Sequence, residues 1–173
     1  MKFILETERL LLREFVREDL NDFFSLVSDP EVTRYTHDGG KTLDEVRTGM
    51  EERMFRDYKE HGYGRWAMIF KPTGQLIGFA GLKYLPDLGE VDLGYRLMKA
   101  YWGQGLATEA SKALLAYGFD VLRLPRIIGM ADAENKASIR VLEKVGFRFE
   151  KLTTEKDYQI AWYVAERGVS SRD

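Results

Sequence analysis

A single α+β domain is the fold class that this 173-residue sequence predicts, with a mixed sheet of about seven strands and about four helices. Three observations predict it: a strand followed by two amphipathic helices at the start, period-two alternation in the middle, and a helix-then-strand order repeated in the last half. The chain shows no internal repeat or low-complexity linker. We therefore expect one domain over residues 1–173, with residues 166–173 as a frayed tail.

Composition excludes several classes of protein. The 26 Lys and Arg residues are scattered among 28 Asp and Glu residues, which argues against a nucleic-acid partner. The chain has neither an apolar run of membrane-spanning length nor a signal-peptide core, so we expect no membrane association and a cytoplasmic location. The absence of Cys excludes disulfides, thiolate metal sites and a cysteine nucleophile. The two His residues, His37 and His61, are isolated, so no metal site is expected.

The first third predicts one strand and two helices. Residues 9–15 are apolar between charged ends, as in a strand near a sheet edge. Asp19 is placed to cap a helix that ends before Pro30. Thr42 begins a capping-box pattern, and its helix continues toward His61. The polar segment between the helices, residues 33–40, has a glycine pair and predicts a mobile loop.

The middle of the chain predicts an antiparallel meander. Residues 65–70 and 76–84 read as strands around a Pro/Gly turn. Residues 90–97 alternate between apolar and polar side chains, which is typical of a third strand. Residues 126–130 form a short apolar strand, and a helical crossover allows it to lie parallel to residues 90–97.

The last third repeats the helix-then-strand order. Asn135 is a favourable N-cap, and Gly146 stands where a left-handed residue ends a helix. Residues 147–152 and 158–165 then predict a closing pair of strands.

A glycine-rich stretch, residues 101–110, leads into an amphipathic helix with an apolar stripe of Ala110, Ala113, Leu114, Tyr117 and Val121. A helix N-terminus presents unpaired N–H groups and a positive dipole, and glycines let an anion approach, so the stretch favours a phosphate site. The dinucleotide fingerprint is not matched, since Thr108 stands where it needs a third glycine, and no P-loop tripeptide occurs. A tight turn that merely starts a helix remains an alternative.

Three blocks extend this pattern: Asp92-Leu93-Gly94-Tyr95-Arg96-Leu97, then Tyr101-Trp102-Gly103-Gln104-Gly105-Leu106-Ala107-Thr108-Glu109-Ala110, then Asn135 through Phe147. Together with the opening Thr7-Glu8-Arg9-Leu10-Leu11-Leu12-Arg13, they resemble the GCN5-related N-acetyltransferase (GNAT) superfamily over nearly the whole chain. More narrowly, they resemble its branch of ribosomal-protein N-terminal acetyltransferases.

The resemblance implies a splayed parallel strand pair and an enzyme that transfers acetyl from acetyl-CoA to a primary amine, on a protein N-terminus or a small molecule. Direct attack in a ternary complex is expected, because no Cys can carry the acyl group. A homodimer is common among such proteins. Trp102 replaces the usual Gln or Arg at the start of the pyrophosphate loop. The cofactor-binding positions implied are Leu97, Met98, Gly103, Gln104, Gly105, Leu106, Ala107, Thr108 and Asn135.

The chemistry of the site requires a base, because an amine must lose its proton before it attacks a thioester. Asp92 and Glu90 share one face of their strand and are the candidates; both remain open to interpretation as solvated strand residues. The resemblance implies a serine as proton donor to sulfur, because the ribosomal-protein branch is proposed to use one and Ser138 matches its Asn-x-x-Ser spacing. Leu142 stands where many superfamily members have a tyrosine. Tyr95, Tyr101 and Tyr158 are alternative donors.

Simpler structural roles also remain for two of these positions. Asn135 can be a plain helix cap, and Ser138 can make a second hydrogen bond at the helix start. An acyl-CoA-binding module without turnover is the alternative function.

Overall fold

The computed structural model describes residues 3–169, which form one mixed sheet covered by helices. The strands are β1 (Phe3–Glu6), β2 (Leu10–Arg13), β3 (Arg65–Phe70), β4 (Gln75–Leu85), β5 (Glu90–Leu97), β6 (Arg126–Asp132), β7 (Arg148–Glu155) and β8 (Tyr158–Glu166). The helices are α1 (Leu20–Ser28), α2 (Leu43–Gly49), α3 (Phe55–His61), α4 (Leu106–Ala116) and α5 (Lys136–Lys144). A π-helical turn, Met50–Met54, joins α2 to α3, so the chain follows four helical runs.

The sheet has the order β1-β2-β3-β4-β5-β6-β8-β7. The neighbouring strands β5 and β6 are parallel, and all other neighbouring strands of the sheet are antiparallel. This confirms the predicted α+β fold with its central parallel pair. The sheet has eight strands, which agrees with the predicted number of about seven. The additional strand, β1, has four residues, too few for alternation to be visible in the sequence.

Two apolar clusters cover the two faces of the sheet. On one face, Leu26 of α1 and Val46 of α2 pack with Phe79 of β4. On the other face, Leu114 of α4 and Leu142 of α5 pack against the strands. The helical crossover between β5 and β6 therefore lies on the face opposite α1–α3, and this separation defines the two sides of the site.

Local capping signals are confirmed at two helices. The Thr42 hydroxyl accepts the Glu45 N–H at 3.2 Å, and the Glu45 carboxylate accepts the Thr42 N–H at 2.8 Å. Asn135 caps α5 by accepting the Ser138 N–H at 3.2 Å.

Two residues of the helix predictions behave differently. Asp19 precedes α1 but makes no side-chain cap there; its carboxylate instead pairs with Arg13 at 2.7 and 2.9 Å and accepts the Val16 N–H. Val121, predicted to lie on the buried stripe of α4, is 62% exposed. The helix changes to a π turn at Tyr117–Val121, and the wider turn rotates Val121 away from the core.

The C-terminal strand reaches Glu166, one residue into the predicted tail, and the Arg167 N–H donates to the Pro125 carbonyl at 3.0 Å. The rest of that tail prediction, residues 170–173, lies outside the described residues. No helix within residues 3–169 is long and apolar enough to cross a membrane.

We expect Asp19→Ala to lower the free energy of unfolding by about 3–5 kcal/mol, because it leaves the buried Arg13 guanidinium without its partner. Urea denaturation measures this difference. Glu18→Ala, at the exposed neighbouring position, should change the same quantity by less than about 0.5 kcal/mol. Equal effects of the two substitutions would contradict the assignment.

Candidate active site

The two parallel strands stay together only briefly. Asp92 of β5 is paired with Ile128 of β6, and no further pair follows along the described strands, so a gap opens toward the C-terminal end of β5. The Met98 N–H donates to the Ile77 carbonyl on the β4 side at 2.8 Å, and its carbonyl accepts the Tyr101 N–H. Because backbone groups alternate in direction along a strand, the N–H and carbonyl of Leu97 point into the gap. Leu97, rather than Met98, thus offers backbone groups to the cleft.

A cleft of about 980 Å³ occupies this gap, large for a small-molecule site. Most of the predicted site residues meet in its lining: Asp92, Leu97, Gly103, Gly105, Leu106, Ala107, Thr108, Asn135 and Ser138. Three others do not line it: Glu90, Met98 and Gln104. Residues 3–169 contain no cluster of side chains suited to a metal ion.

The glycine turn delivers the N-terminus of α4 to the cleft. Gly103 and Gly105 have φ values of 72° and 77°, which glycine adopts without strain. The first helical hydrogen bond runs from the Glu109 N–H to the Gly105 carbonyl. The N–H groups of residues 106–108 therefore precede the helical ladder, as an anion site requires. A Cβ at Gly103 would meet no atom within 4 Å, so the turn is open above the backbone. The residues present fit a pyrophosphate.

Trp102, the residue at which the sequence departs from the superfamily pattern, has a definite contact. Its indole N–H donates to the Leu97 carbonyl at 2.9 Å, while the ring remains 45% exposed. The indole thus satisfies a backbone oxygen at the mouth of the gap and leaves the Leu97 N–H facing the cleft.

An ion-pair network behind the glycine turn holds it to the N-terminal strands. The Arg9 guanidinium donates to Glu109 at 2.7 Å and to the Gln104 carbonyl at 2.9 Å. The Thr7 hydroxyl and the Arg9 N–H also donate to Glu109. Partial burial acts to raise the pKa of Glu109, but these hydrogen bonds outweigh it and hold the pKa below its usual value. No sequence pattern predicted this pairing, because the partners are about 100 residues apart.

Two hydroxyl groups meet on the α4–α5 side of the cleft. The Tyr95 hydroxyl donates to the Ser138 Oγ at 3.3 Å, at the start of α5 beside Asn135. Burial raises the pKa of Tyr95, so its phenol remains protonated at neutral pH. The other tyrosine hydroxyls considered have different partners: Tyr101 donates to Gln75 and Tyr158 donates to Glu155.

Both predicted base candidates are held by arginines. Arg65 donates to the Asp92 Oδ1 at 2.7 Å and also reaches the Asp92 carbonyl, and the Asp92 side chain is only 10% exposed. Glu90 lies at the paired end of β5, outside the cleft lining, and accepts from Arg126 at 3.0 Å. Asp92 therefore reaches the cleft as one half of an ion pair, whereas Glu90 does not reach it.

The segment predicted as a mobile loop is tied to the sheet at two points. His37 Nε2 lies 2.8 Å from Asp132 Oδ2 at the end of β6, and Arg96 of β5 donates to Asp38 at 2.7 Å. Burial opposes ionisation of Asp38, but the hydrogen bonds from Arg96 and Thr36 outweigh it and lower its pKa. These contacts span both sides of the gap, and neither was visible in the sequence because the partners are far apart in the chain.

We expect Glu109→Gln to lower the free energy of unfolding at pH 7 by about 1.5 kcal/mol, the scale of a hydrogen bond to a charged group. The pKa of Glu109 is lower in the folded than in the unfolded chain, so its stabilisation is complete above the unfolded value of about 4.3. It is lost as pH falls through the folded pKa. Denaturation of both proteins between pH 7 and pH 3 should show the difference disappearing, whereas exposed Glu8→Gln should show little difference at any pH. A pH-independent difference would contradict the proposed ion pair.

Comparison with known proteins identifies the fold and the family. Residues 9–148 match the family model described as an acetyltransferase (GNAT) domain. An uncharacterized N-acetyltransferase of Bacillus licheniformis, p20, is 36% identical over 160 residues, covering 91% of this chain and 88% of its own length. The spermidine N(1)-acetyltransferase of Escherichia coli is 28% identical over 143 residues, covering 80% and 73%.

Solved structures agree with the architecture. A GNAT-family acetyltransferase from Bacillus anthracis superposes with a TM-score of 0.81 at 28% identity, covering 95% of this chain and 98% of the other. The ribosomal L7/L12 alpha-N-protein acetyltransferase RimL, solved with coenzyme A, shares the fold with a TM-score of 0.82 at 16% identity, covering 96% and 98%. With its splayed strand pair and its glycine turn at the start of α4, this chain belongs to the GNAT family of acetyltransferases.

Proposed function

We propose that this protein transfers the acetyl group of acetyl-CoA to a primary amine, on a small cationic molecule or a peptide N-terminus, within a ternary complex. The observation that supports it best is the convergence of two unpaired backbone features in one cleft: the Leu97 N–H and the N-terminus of α4. The first suits an amide or thioester carbonyl, and the second suits a pyrophosphate.

In this proposal acetyl-CoA approaches from the side of α4 and α5. The pyrophosphate accepts hydrogen bonds from the backbone of residues 103–108, whose positive helix end favours the charge. The Leu97 N–H binds along the pantetheine arm or at the thioester oxygen, where it stabilises the developing oxyanion. Asn135 uses its side-chain oxygen to cap α5, which leaves its amide N–H groups for the cofactor.

The amine approaches from the opposite side of the sheet. Asp92 and Arg96 of β5 point to the α1–α3 face, whereas Leu97 belongs to the core on the α4 face. On the amine side, Arg65 and Arg96 are paired with Asp92 and Asp38, and the Arg34 guanidinium lies over the Tyr35 ring, while Asp132 and Glu155 are paired with no arginine or lysine of the described chain. This balance favours a cationic acceptor. The relationship to a spermidine acetyltransferase supports the same class of substrate.

In this proposal, two hydroxyl groups supply a proton to the coenzyme A thiolate as it departs. The Tyr95–Ser138 hydroxyl pair lies on the cofactor side, and its phenol stays protonated at neutral pH. Because the chain contains no Cys, an acyl-cysteine intermediate is excluded and the amine attacks the thioester directly.

Turnover with a panel of amines tests the function. Because the protein has no thiol of its own, released coenzyme A can be followed with a thiol reagent without background from the protein. We expect the protein to acetylate polyamines and free peptide N-termini, and this turnover would be detected as released coenzyme A. Binding of acetyl-CoA without turnover of any amine would favour a non-catalytic acyl-CoA-binding role instead.

Thr108→Glu should weaken acetyl-CoA binding about tenfold or more, because a carboxylate in the first turn of α4 repels the pyrophosphate and neutralises the helix end. Isothermal titration calorimetry measures the Kd of acetyl-CoA. Ala116→Glu adds the same charge at the exposed far end of α4 and should leave the Kd within about twofold. Similar losses in both variants would contradict the placement of the phosphates.

Tyr95→Phe and Ser138→Ala should each lower kcat about 10- to 100-fold with little change in acetyl-CoA affinity, because each removes a hydroxyl from one proton path. The double variant should be no worse than the poorer single variant, since the two act as a unit. Tyr84→Phe, which lies outside the cleft lining, is the matched control. Additive losses in the double variant would argue for separate roles.

A further inference from the structure

His37 lies in the cleft in an unusual backbone conformation. Its φ of 57° is in the left-handed region, which is unfavourable for a residue with a Cβ and which a functional site can require. Its ring stacks on Tyr158 of β8, with centroids 3.7 Å apart and planes within 12°. This stacking restrains the ring although it comes from a loop.

Asp132 orients this ring. Its side chain is 6% exposed, its Oδ1 accepts the Glu134 N–H at 2.9 Å, and its Oδ2 lies 2.8 Å from His37 Nε2. A carboxylate only accepts hydrogen bonds, so the neutral imidazole carries its proton on Nε2 and has its lone pair on Nδ1. No residue of the described chain hydrogen-bonds to Nδ1. A base oriented by a buried carboxylate is the arrangement that general-base catalysis uses.

The strand register places this pair across the gap from the reacting centre. Ile128 is level with Asp92, so Asp132, four residues further along β6, is at the height of Arg96, next to Leu97. Asp132 alternates with Ala131, which belongs to the core on the α4 side, and therefore faces the side from which the amine approaches.

The groups around His37 favour an ammonium ion as its neighbour. Asp132 faces it from β6 and Tyr158 from β8, Glu155 at the end of β7 accepts the Tyr158 hydroxyl, and Asp38 follows it in the loop. The Arg96 guanidinium is paired with Asp38, and that of Arg34, which precedes His37 in the loop and also lines the cleft, lies over the Tyr35 ring. Asp92 is engaged by Arg65, so it would have to give up that ion pair to accept a proton.

We propose that His37 is the general base of the proposed amine acetylation and that Asp132 is its positioning residue; the proposal rests on the proposed function. The substrate ammonium gives one proton to His37 Nδ1. The neutral nitrogen then attacks the thioester carbonyl carbon, the C–N bond forms, and the C–S bond breaks. The second nitrogen proton goes to the leaving sulfur by way of the hydroxyl pair, and the imidazolium releases its proton to solvent.

The test compares His37→Gln and Asp132→Asn with wild type, using an amine that the wild type acetylates. We expect His37→Gln to lower kcat about 100-fold or more, as for loss of a general base, and Asp132→Asn to give a smaller loss. The Kd of acetyl-CoA should remain within about twofold in both, because the pair lies on the amine side. His61→Gln is the matched control: His61 also lies beside an acid and an aromatic ring but outside the cleft lining.

Chemical rescue separates catalysis from structure. Imidazole added to His37→Gly, a substitution that suits the left-handed backbone, should restore turnover, and it should restore none to Asp132→Asn. Nitrogen-15 spectra of the two histidines should show the neutral His37 protonated on Nε2, and Asp132→Asn should remove that preference while His61 is unchanged.

The outcomes are distinct. Full activity of His37→Gln in an active enzyme would overturn this proposal alone. A wild-type protein that binds acetyl-CoA and acetylates no amine would overturn the proposed function and this proposal with it.

Discussion

The divergence of β5 from β6 after the Asp92–Ile128 pair is the constraint on which the rest of the structure depends. A strand that loses its neighbour inside a sheet exposes backbone donors and acceptors in a place where water has limited access, and such groups require partners. The protein satisfies the Leu97 carbonyl with the Trp102 indole and leaves the adjacent N–H to the cleft. The antiparallel pairing of β4 with the whole of β5 keeps the strand in place despite this loss.

The charges at the N-terminus of α4 are also balanced by partners within the protein. A helix N-terminus that binds a pyrophosphate should carry no uncompensated negative charge, yet Glu109 stands in its first turn. Arg9 neutralises this carboxylate and, through the Gln104 carbonyl, also fixes the glycine turn. The N-terminal strands thereby help to hold the proposed cofactor site, although they are distant from it in sequence. The proposed amine side differs, because its Asp132 and Glu155 are paired with no arginine or lysine of the described residues.

How far sequence predicts structure depended here on the range of the interaction. The Thr42 capping box and the Asn135 cap involve residues three apart, so both could be predicted and both are confirmed. Val121 was predicted to be buried because periodicity assumes a regular helix, and a π turn breaks that assumption. The Asp92–Arg65 pair could not be foreseen, because Arg65 reaches Asp92 across the intervening strand β4.

The sequence by itself determined the fold class and the family, and it predicted the residues of the proposed donor side, because these reside in contiguous motifs whose caps, glycines and periodicity act locally. The proposed amine side could be inferred only from the tertiary structure. That structure showed which carboxylates are occupied by arginines, and it brought His37 from the α1–α2 connection to Asp132, 95 residues away. The physical reason is that such contacts depend on strand order and on the divergence of one parallel pair, and neither leaves a mark on the neighbouring residues in the chain.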